Sequence, residues 1–351
     1  MTKFWSSMVK RTDPYVPGEQ INQKDIIKLN TNENPYPPSP NVLAAIQAEM
    51  QETLQLYPSP TADGLREAIA NQNGISKEEV FVGNGSDEVL AFSFMAFFEP
   101  GKVIRFPDIS YSFYPVYAKI FDITFEEVPV NEDFTLPIEQ FYGAEGGVIL
   151  PNPNAPTSLY AALEDIEQIV QNNPDRVVII DEAYIDFATE SAVGLIRKYD
   201  NLLVVQTTSK SRSLAGLRVG FAMGNPSLIE ALIRIKDSFN SYTIDRLAMV
   251  GATAAFEDVT YFEETVGKIV ATREKTARAL GQLGFTVLPS QANFVFARHE
   301  TVAAETLYNQ LKEAGILVRY FNKPQIDNYL RITIGTDAQM EKLMEAIRQL
   351  I

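Results

Sequence analysis

Seven short apolar runs, hydrophobic on both faces, alternate with helical segments through much of this chain. The runs lie at 80–82, 103–106, 123–128, 148–150, 177–180, 202–205 and 219–223, and helical periodicity covers 64–73, 89–98, 162–172 and 227–239. A strand with no polar face has to be covered on both sides. The alternation therefore predicts an α/β fold in which a large domain carries a mainly parallel central sheet covered by helices. A charged helix at 261–280 leads into a second unit, with strands expected at 285–287, 293–297, 317–319 and 330–334 and helices at 303–314 and 338–350. That unit reads as a smaller α+β C-terminal domain. Residues 1–40, rich in Pro, Asn and Tyr, are expected to lie as an extended arm. The expected division is an arm at 1–45, a large cofactor-binding domain at 46–260 and a small domain at 261–351.

Two of the runs end in polar clusters of the same chemical kind. Val177 to Ile180 leads into Asp181, Glu182, Ala183 and Tyr184; Leu202 to Val205 leads into Thr207, Thr208, Ser209 and Lys210, with Arg218 eight residues past the lysine. In open α/β sheets ligands sit beyond the carboxyl ends of the strands. An acid, a phenol, a lysine, hydroxyls and an arginine gathered there suit an aldehyde cofactor held as a Schiff base. Alone, such a lysine is ordinarily a solvated helix terminus and such an aspartate an N-cap. A carboxylate closing a Val-Val-Ile-Ile run nevertheless needs a cationic partner. A protonated pyridine nitrogen would be one, with Tyr184 within reach of the ring's phenolic oxygen.

Gly83-Asn84-Gly85-Ser86-Asp87-Glu88 joins a strand to a helix, and close backbone approach with a free helix N-terminus suits a phosphate. Its spacing is neither that of a dinucleotide fingerprint nor that of a P-loop. Tyr111, beyond the run ending at Phe106, is placed either to stack on a ring or to pack. Asn154, in the turn from Asn152 to Thr157, either points into the cleft or only shapes the turn. Arg331 alternates against Leu330, Ile332 and Ile334; with Arg319 it offers two guanidinium forks, which suit a phosphate.

The net charge of −15 argues against nucleic acid and anionic membranes as partners. With no cysteine, disulfides, thiol chemistry and zinc ribbons are excluded. The single histidine, His299, sits between Arg298 and Glu300 and is expected at the surface, so Ser-His-Asp catalysis and a metal site are set aside. Residues 1–10 lack the apolar core of a signal peptide, and nothing approaches about 18 uncharged apolar residues. A soluble cytoplasmic protein is expected.

Taken in order, these motifs resemble the fold-type I pyridoxal-phosphate aminotransferases and, within them, the histidinol-phosphate aminotransferase family. The likeness runs over nearly the whole chain, through Leu29-Asn30-Thr31-Asn32-Glu33-Asn34-Pro35, Leu56-Tyr57-Pro58, Gly83 to Glu88, Asp181 to Tyr184, Ser209-Lys210, Leu214 to Arg218 and Leu330 to Thr333. It implies an aspartate-aminotransferase-like fold and reversible transamination of L-histidinol phosphate with 2-oxoglutarate, giving imidazole-acetol phosphate and glutamate in histidine biosynthesis. An aromatic amino acid aminotransferase and a threonine-phosphate decarboxylase-like enzyme share much of the pattern. The resemblance also implies pyridoxal 5'-phosphate on Lys210, paired by Asp181 at the pyridinium nitrogen, bonded by Tyr184 at the ring oxygen and stacked on by Tyr111. Gly85, Ser86, Asp87, Thr207, Ser209 and Arg218 would surround its phosphate. Tyr57 would reach the phosphate in another subunit, implying a homodimer with shared sites, and Tyr15, Asn32, Arg319 and Arg331 would hold the substrate. Three positions depart from the family pattern. Ala155 stands where an asparagine usually bonds the ring oxygen, leaving Asn154 or a water to substitute. Ser158 replaces a glycine, and Ser211-Arg212 replaces an alanine–aromatic pair.

Overall fold

The computed structural model describes residues 3–14, 26–50 and 54–351. Seven strands form the central sheet: β1 (Val80–Asn84), β2 (Val103–Pro107), β3 (Thr124–Val128), β4 (Gly147–Pro151), β5 (Val178–Asp181), β6 (Leu202–Thr207) and β7 (Val219–Gly224). Their spatial order is β1-β7-β6-β5-β4-β2-β3. Only β7 runs against its neighbours, so the sheet is mainly parallel, as expected. The alternation of side chains along each strand builds two separate cores. Ile179 and Leu203 face one side, with Leu90, Tyr114 and Leu232. Ile180 and Val204 face the other, with Ile69, Ile169 and Ala252.

The covering helices are α1 (Pro40–Glu49), α2 (Asp63–Asn73), α3 (Gly85–Phe97), α4 (Tyr114–Phe121), α5 (Leu163–Gln171), α6 (Pro226–Phe239) and α7 (Arg246–Glu257). Of these, α1, α4 and α7 are absent from the sequence reading, although each start is marked. Ser39 caps α1 with Pro40 in its first turn, Pro115 opens α4, and the Asp245 carboxylate accepts from the Ala248 amide at 2.9 Å at the start of α7. Helix α1 begins inside the stretch expected to be an extended arm; Ile46 packs into the same core as Ala252 of α7.

Helix α8 (Val259–Gln282) carries the chain to a four-stranded antiparallel sheet of β8 (Phe285–Val287), β9 (Phe294–His299), β10 (Arg319–Tyr320) and β11 (Leu330–Thr333), ordered β10-β11-β9-β8. Helices α9 (Ala304–Glu313) and α10 (Asp337–Leu350) complete this unit. The strand expected at 317–319 is divided at Val318. Ile316 and Leu317 pair in parallel with Ile27 and Lys28, while Arg319 and Tyr320 pair with β11. The arm is thus stitched into the C-terminal unit, and Leu29, 1% exposed, sits in its core with Ile332 and Leu343.

His299 is not a surface residue. Its ring is half-buried, edge-on to Phe285 at 4.9 Å, with Nε2 3.0 Å from the Leu283 carbonyl and Nδ1 accepting from the Val302 amide at 3.1 Å. The end of β9 turns a corner that leaves backbone groups in need of partners, and the imidazole meets them from both sides. No helix among the described residues is long and apolar enough to cross a membrane.

Leu29→Ala removes the apolar plug that ties the arm to the C-terminal core. It should cost about 2–5 kcal/mol, read as a lowered urea midpoint for the C-terminal unit; an unchanged midpoint would show that the arm is held by its backbone pairing alone.

Candidate active site

The carboxyl ends of β4, β5 and β6 open on one cavity of about 330 Å³. Asp181, the last residue of β5, is buried in its wall. The Tyr114 hydroxyl donates to Asp181 Oδ2 at 2.9 Å, and the Ala183 amide donates to Oδ1 at 3.3 Å. Burial outweighs both donors and pushes the Asp181 carboxyl up to about 6. Glu182 points to the opposite face, where Ser191, Gln206 and the Ala192 amide donate to it, and burial pushes it up to about 7.

Gly85 and Gly220 let the N-terminus of α3 lie directly on β7. A Cβ at Gly220 would stand 2.2 Å from the Ser86 nitrogen, and one at Gly85, where φ is +78°, would stand 2.5 Å from Arg218 Nη2. Arg218 is itself left-handed, at φ +55°, an uncommon conformation for a bulky side chain and one that turns the guanidinium back to the helix end. There Nη2 donates to Asp87 Oδ2 at 3.1 Å, while the Tyr111 hydroxyl donates to Asp87 Oδ1 at 2.8 Å. Burial, followed by the Asp87 charge, pushes the Tyr111 phenol well above its ordinary value.

Lys210 Nζ lies 3.5 Å from the Thr31 carbonyl oxygen and 5.8 Å from the centre of the Tyr184 ring. Its backbone is clamped. Asn34 Nδ2 donates to the carbonyls of Lys210 and Ser211, both at 3.0 Å, and Ser211 donates to Asp186. The Arg212 guanidinium is sandwiched between Phe256 and Phe262 at 3.9 and 4.0 Å and donates to the Ala255 carbonyl at 2.7 Å.

A second chamber of about 220 Å³ shares Thr31, Tyr111, Ala155, Tyr184 and Lys210 with the first. Arg319 and Arg331 line its far side as register partners on β10 and β11. Arg331 Nη2 donates to the Asn30 carbonyl at 3.0 Å, and both guanidinium groups lie over Phe321.

Of the residues singled out from sequence, Ser86, Asp87, Tyr111, Asp181, Tyr184, Thr207, Ser209, Lys210 and Arg218 line the first cavity; Asn32, Arg319 and Arg331 line the second. Gly85 backs Arg218 without lining the space. Asn154 does not line either chamber: its Nδ2 donates to the Ile109 carbonyl at 2.9 Å, and the Ala155 methyl faces the cavity instead. Tyr57, 78% exposed and stacked on Tyr242 at 4.7 Å, lines neither of the two chambers. Tyr15 lies outside the described residues. Sequence reasoning missed Tyr114, Glu33, Asn34 and Gly220. The i, i+3 spacing of Tyr111 and Tyr114 was the available signal for the first; Gly220 and Asn34 become meaningful only once α3 and the arm are packed.

This site on this fold is that of an aminotransferase: the chain belongs to the family described as "Aminotransferase class I and II", whose model matches residues 24–347. It is 60% identical to histidinol-phosphate aminotransferase 1 of Oceanobacillus iheyensis, over all of this chain and 99% of that one. It is 58% identical to histidinol-phosphate aminotransferase of Clostridium acetobutylicum over the full length of both. Among solved structures, histidinol-phosphate aminotransferase from Sinorhizobium meliloti in complex with pyridoxal-5'-phosphate superposes with a TM-score of 0.90 at 25% identity, covering all of this chain and 99% of that one.

The raised Asp181 carboxyl has a sign that can be measured. Displacement from 3.8 to about 6 means the folded protein binds the extra proton, so stability falls as pH rises through that window. At about 1.4 kcal/mol per pH unit, the loss is about 3 kcal/mol. In ligand-free protein, Asp181→Asn should flatten this part of the stability–pH curve, measured by urea unfolding between pH 4 and 7. The same slope in both proteins would contradict it.

Proposed function

We propose that this protein transfers the amino group of L-histidinol phosphate to 2-oxoglutarate, giving imidazole-acetol phosphate and glutamate in histidine biosynthesis, with pyridoxal 5'-phosphate as cofactor. One observation carries the substrate reading. Arg319 and Arg331 pair across β10 and β11 on the wall of a chamber that shares Lys210 and Tyr184 with the first cavity. Two planar forks suit a phosphate dianion better than one carboxylate. Full-length identities of 60% and 58% to relatives of that name support it.

The residues of the first cavity fit pyridoxal phosphate. The close approach of α3 to Arg218, which a Cβ at Gly85 would fill, makes a phosphate cradle of helix N–H groups and a guanidinium. Asp181 is a buried carboxylate whose donors, Tyr114 and Ala183, are both neutral, so a cationic ring nitrogen would relieve its burial. When bound, the cofactor supplies an aldehyde carbon and an electron-withdrawing ring.

Lys210 Nζ would hold the cofactor through its aldehyde carbon, and its free amine would be the base placed to take the proton from the substrate carbon that bears the amino group. Its backbone is fixed by Asn34, so the side chain is the moving part. Ser86, Ser209 and Arg218 hold the cofactor phosphate, with Gly85, Asp87 and Thr207 shaping that end. Tyr111 covers a ring face and Tyr184 bonds the ring oxygen. Arg319 and Arg331 fix the substrate's anionic end, with Asn32 beside them in the same chamber.

The working form is a homodimer with shared sites. Large exposed apolar side chains gather at Leu43, Met50, Leu54, Leu56 and Tyr57 and at Phe239 and Tyr242, and Tyr57 and Tyr242 stack. If Tyr57 completes a second subunit's site, Tyr57→Ala and Lys210→Ala proteins, each impaired, should regain activity when mixed and reassembled; sedimentation as a monomer would refute the assembly.

Steady-state assays with separate donors test the reaction. Lys210→Ala should lower turnover by at least ~10³-fold, and Arg331→Ala should lower kcat/KM for L-histidinol phosphate by about 10–100-fold. A higher kcat/KM for phenylalanine than for L-histidinol phosphate would overturn the substrate, and release of carbon dioxide would overturn the reaction.

A further inference from the structure

We infer that Asn32 is a positioning residue that turns the hydroxyl proton of Tyr184 into the Lys210 cavity, through a hydrogen-bond chain anchored on Thr333 of the small domain. This rests on the reading of pyridoxal phosphate in that cavity and concerns what fixes the phenol assigned to its ring oxygen.

The direction of each bond follows from its neighbours. The Asn32 backbone amide donates to Thr333 Oγ1 at 3.0 Å, so the Thr333 hydroxyl spends its own proton elsewhere; Asn32 Oδ1, also at 3.0 Å, is the acceptor. That fixes which end of the Asn32 amide faces Thr333. The other end, Nδ2, can only donate, and it meets the Tyr184 hydroxyl oxygen at 2.9 Å. A phenol that accepts from Asn32 directs its own O–H away from Asn32, toward the chambers that Tyr184 lines.

Two further observations give this orientation weight. Asn32 is 1% exposed and held at φ +55°, a conformation asparagine adopts more readily than most residues, and Asn293 Nδ2 donates to its carbonyl at 3.0 Å. The amide is therefore built into the fold and not free to rotate with the arm. On the same wall, Ala155 presents only a methyl, and the Asn154 amide is committed to the Ile109 carbonyl. An acceptor oxygen placed there depends on Tyr184, and Tyr184 depends on Asn32.

Asn32→Asp is nearly isosteric and tolerates the same backbone, but reverses the polarity of one bond. Thr333 still donates to one oxygen. The other can only accept, so it draws the Tyr184 proton out of the cavity. A donor on the cofactor's ring oxygen stabilises the form in which that oxygen carries the negative charge. Losing the donor should raise the midpoint of the pH titration of the bound cofactor's visible absorbance by about one pH unit. The charged groups that line the two chambers with Tyr184 are Lys210, Asp181, Asp87, Glu33, Arg218, Arg319 and Arg331, and these and the Tyr111 phenol are all unchanged in the variant.

The introduced carboxylate also acts through its charge, so the deciding experiment is a double-mutant cycle on the cofactor-loaded protein. Tyr184→Phe should raise the midpoint, and Asn32→Asp should raise it less in the Tyr184→Phe background than in the parent. Equal shifts in both backgrounds, or no shift from Asn32→Asp in the parent, overturn the proposal while leaving the cofactor reading intact. If Lys210→Ala retains the absorbance band, or Tyr184→Phe leaves the midpoint where it was, the cofactor reading has failed instead. Should Asn32→Asp not fold, Thr333→Val takes its place: it removes the hydroxyl that orients the amide and should raise the midpoint by a smaller amount, and an unshifted midpoint in a folded protein counts against the proposal.

Discussion

A carboxylate buried at the middle of a parallel sheet is the constraint around which this molecule is arranged. Strand β5 is covered on both faces, so a charge can be tolerated only at its carboxyl end, where the sheet opens. Asp181 takes that place, and the chain answers it with neutral donors, Tyr114 and Ala183. Neutral donors reduce the burial penalty without cancelling it, and the carboxyl stays near 6. A bound cation then gains the full value of an ion pair whose acidic half has already been desolvated by folding. Glu182 shows the other solution one residue away. It turns to the opposite face, where three donors meet it and tie the segment at Ser191 and Ala192 to the end of β5.

The second organising element is the short arm segment from Asn30 to Asn34. It touches the Lys210, Tyr184 and Arg331 sides of the site at once. The Asn30 carbonyl accepts from Arg331, the Thr31 carbonyl faces Lys210 Nζ, Asn32 bonds Tyr184 and Thr333, and Asn34 holds the backbone of Lys210 and Ser211. Leu29, immediately before it, is buried in the C-terminal core. A displacement of β11 therefore reaches Tyr184 and Lys210 through a few hydrogen bonds and one peptide segment, with no need for the large sheet to deform. This is a physical route by which an anion bound at Arg331 would be felt at the phenol and the lysine.

The parts of this architecture that were legible in the sequence are those set by periodicity and by strand ends. Strands such as Val178–Asp181 and Leu202–Thr207 announce themselves because both faces are apolar, and the residues just past them are the ones that line the cavity. Helix α7 was harder to see because four of its five buried residues, Ala248, Gly251, Ala252 and Ala255, are small and only Phe256 is large, which gives a weak apolar stripe. Val318 divided an apparent strand because its two halves pair with different partners, one of them almost 290 residues away in sequence. No local pattern carries that information. Tyr114, Asn34 and Gly220 escaped for the same reason: each acts on a group brought near only by the tertiary fold.

The three departures from the family pattern separate what this backbone requires from what it merely prefers. At Ser158 the backbone is left-handed, at φ +65°, so the geometry that favours glycine is kept and a buried serine bears some strain there. At Ala155 the lost amide is not replaced by Asn154, whose nitrogen is spent on the Ile109 carbonyl; what remains on that wall is the hydroxyl of Tyr184. At Ser211-Arg212 the chain changes the chemistry but keeps the shape. The Arg212 guanidinium lies flat between Phe256 and Phe262, where a planar ring would also fit, and its donor reaches the Ala255 carbonyl. Burial lowers its pKa only to about 10, so the group stays charged while stacked. The second position after the lysine thus takes a flat body wedged against α7 and α8, and aromaticity is one way among others of providing it.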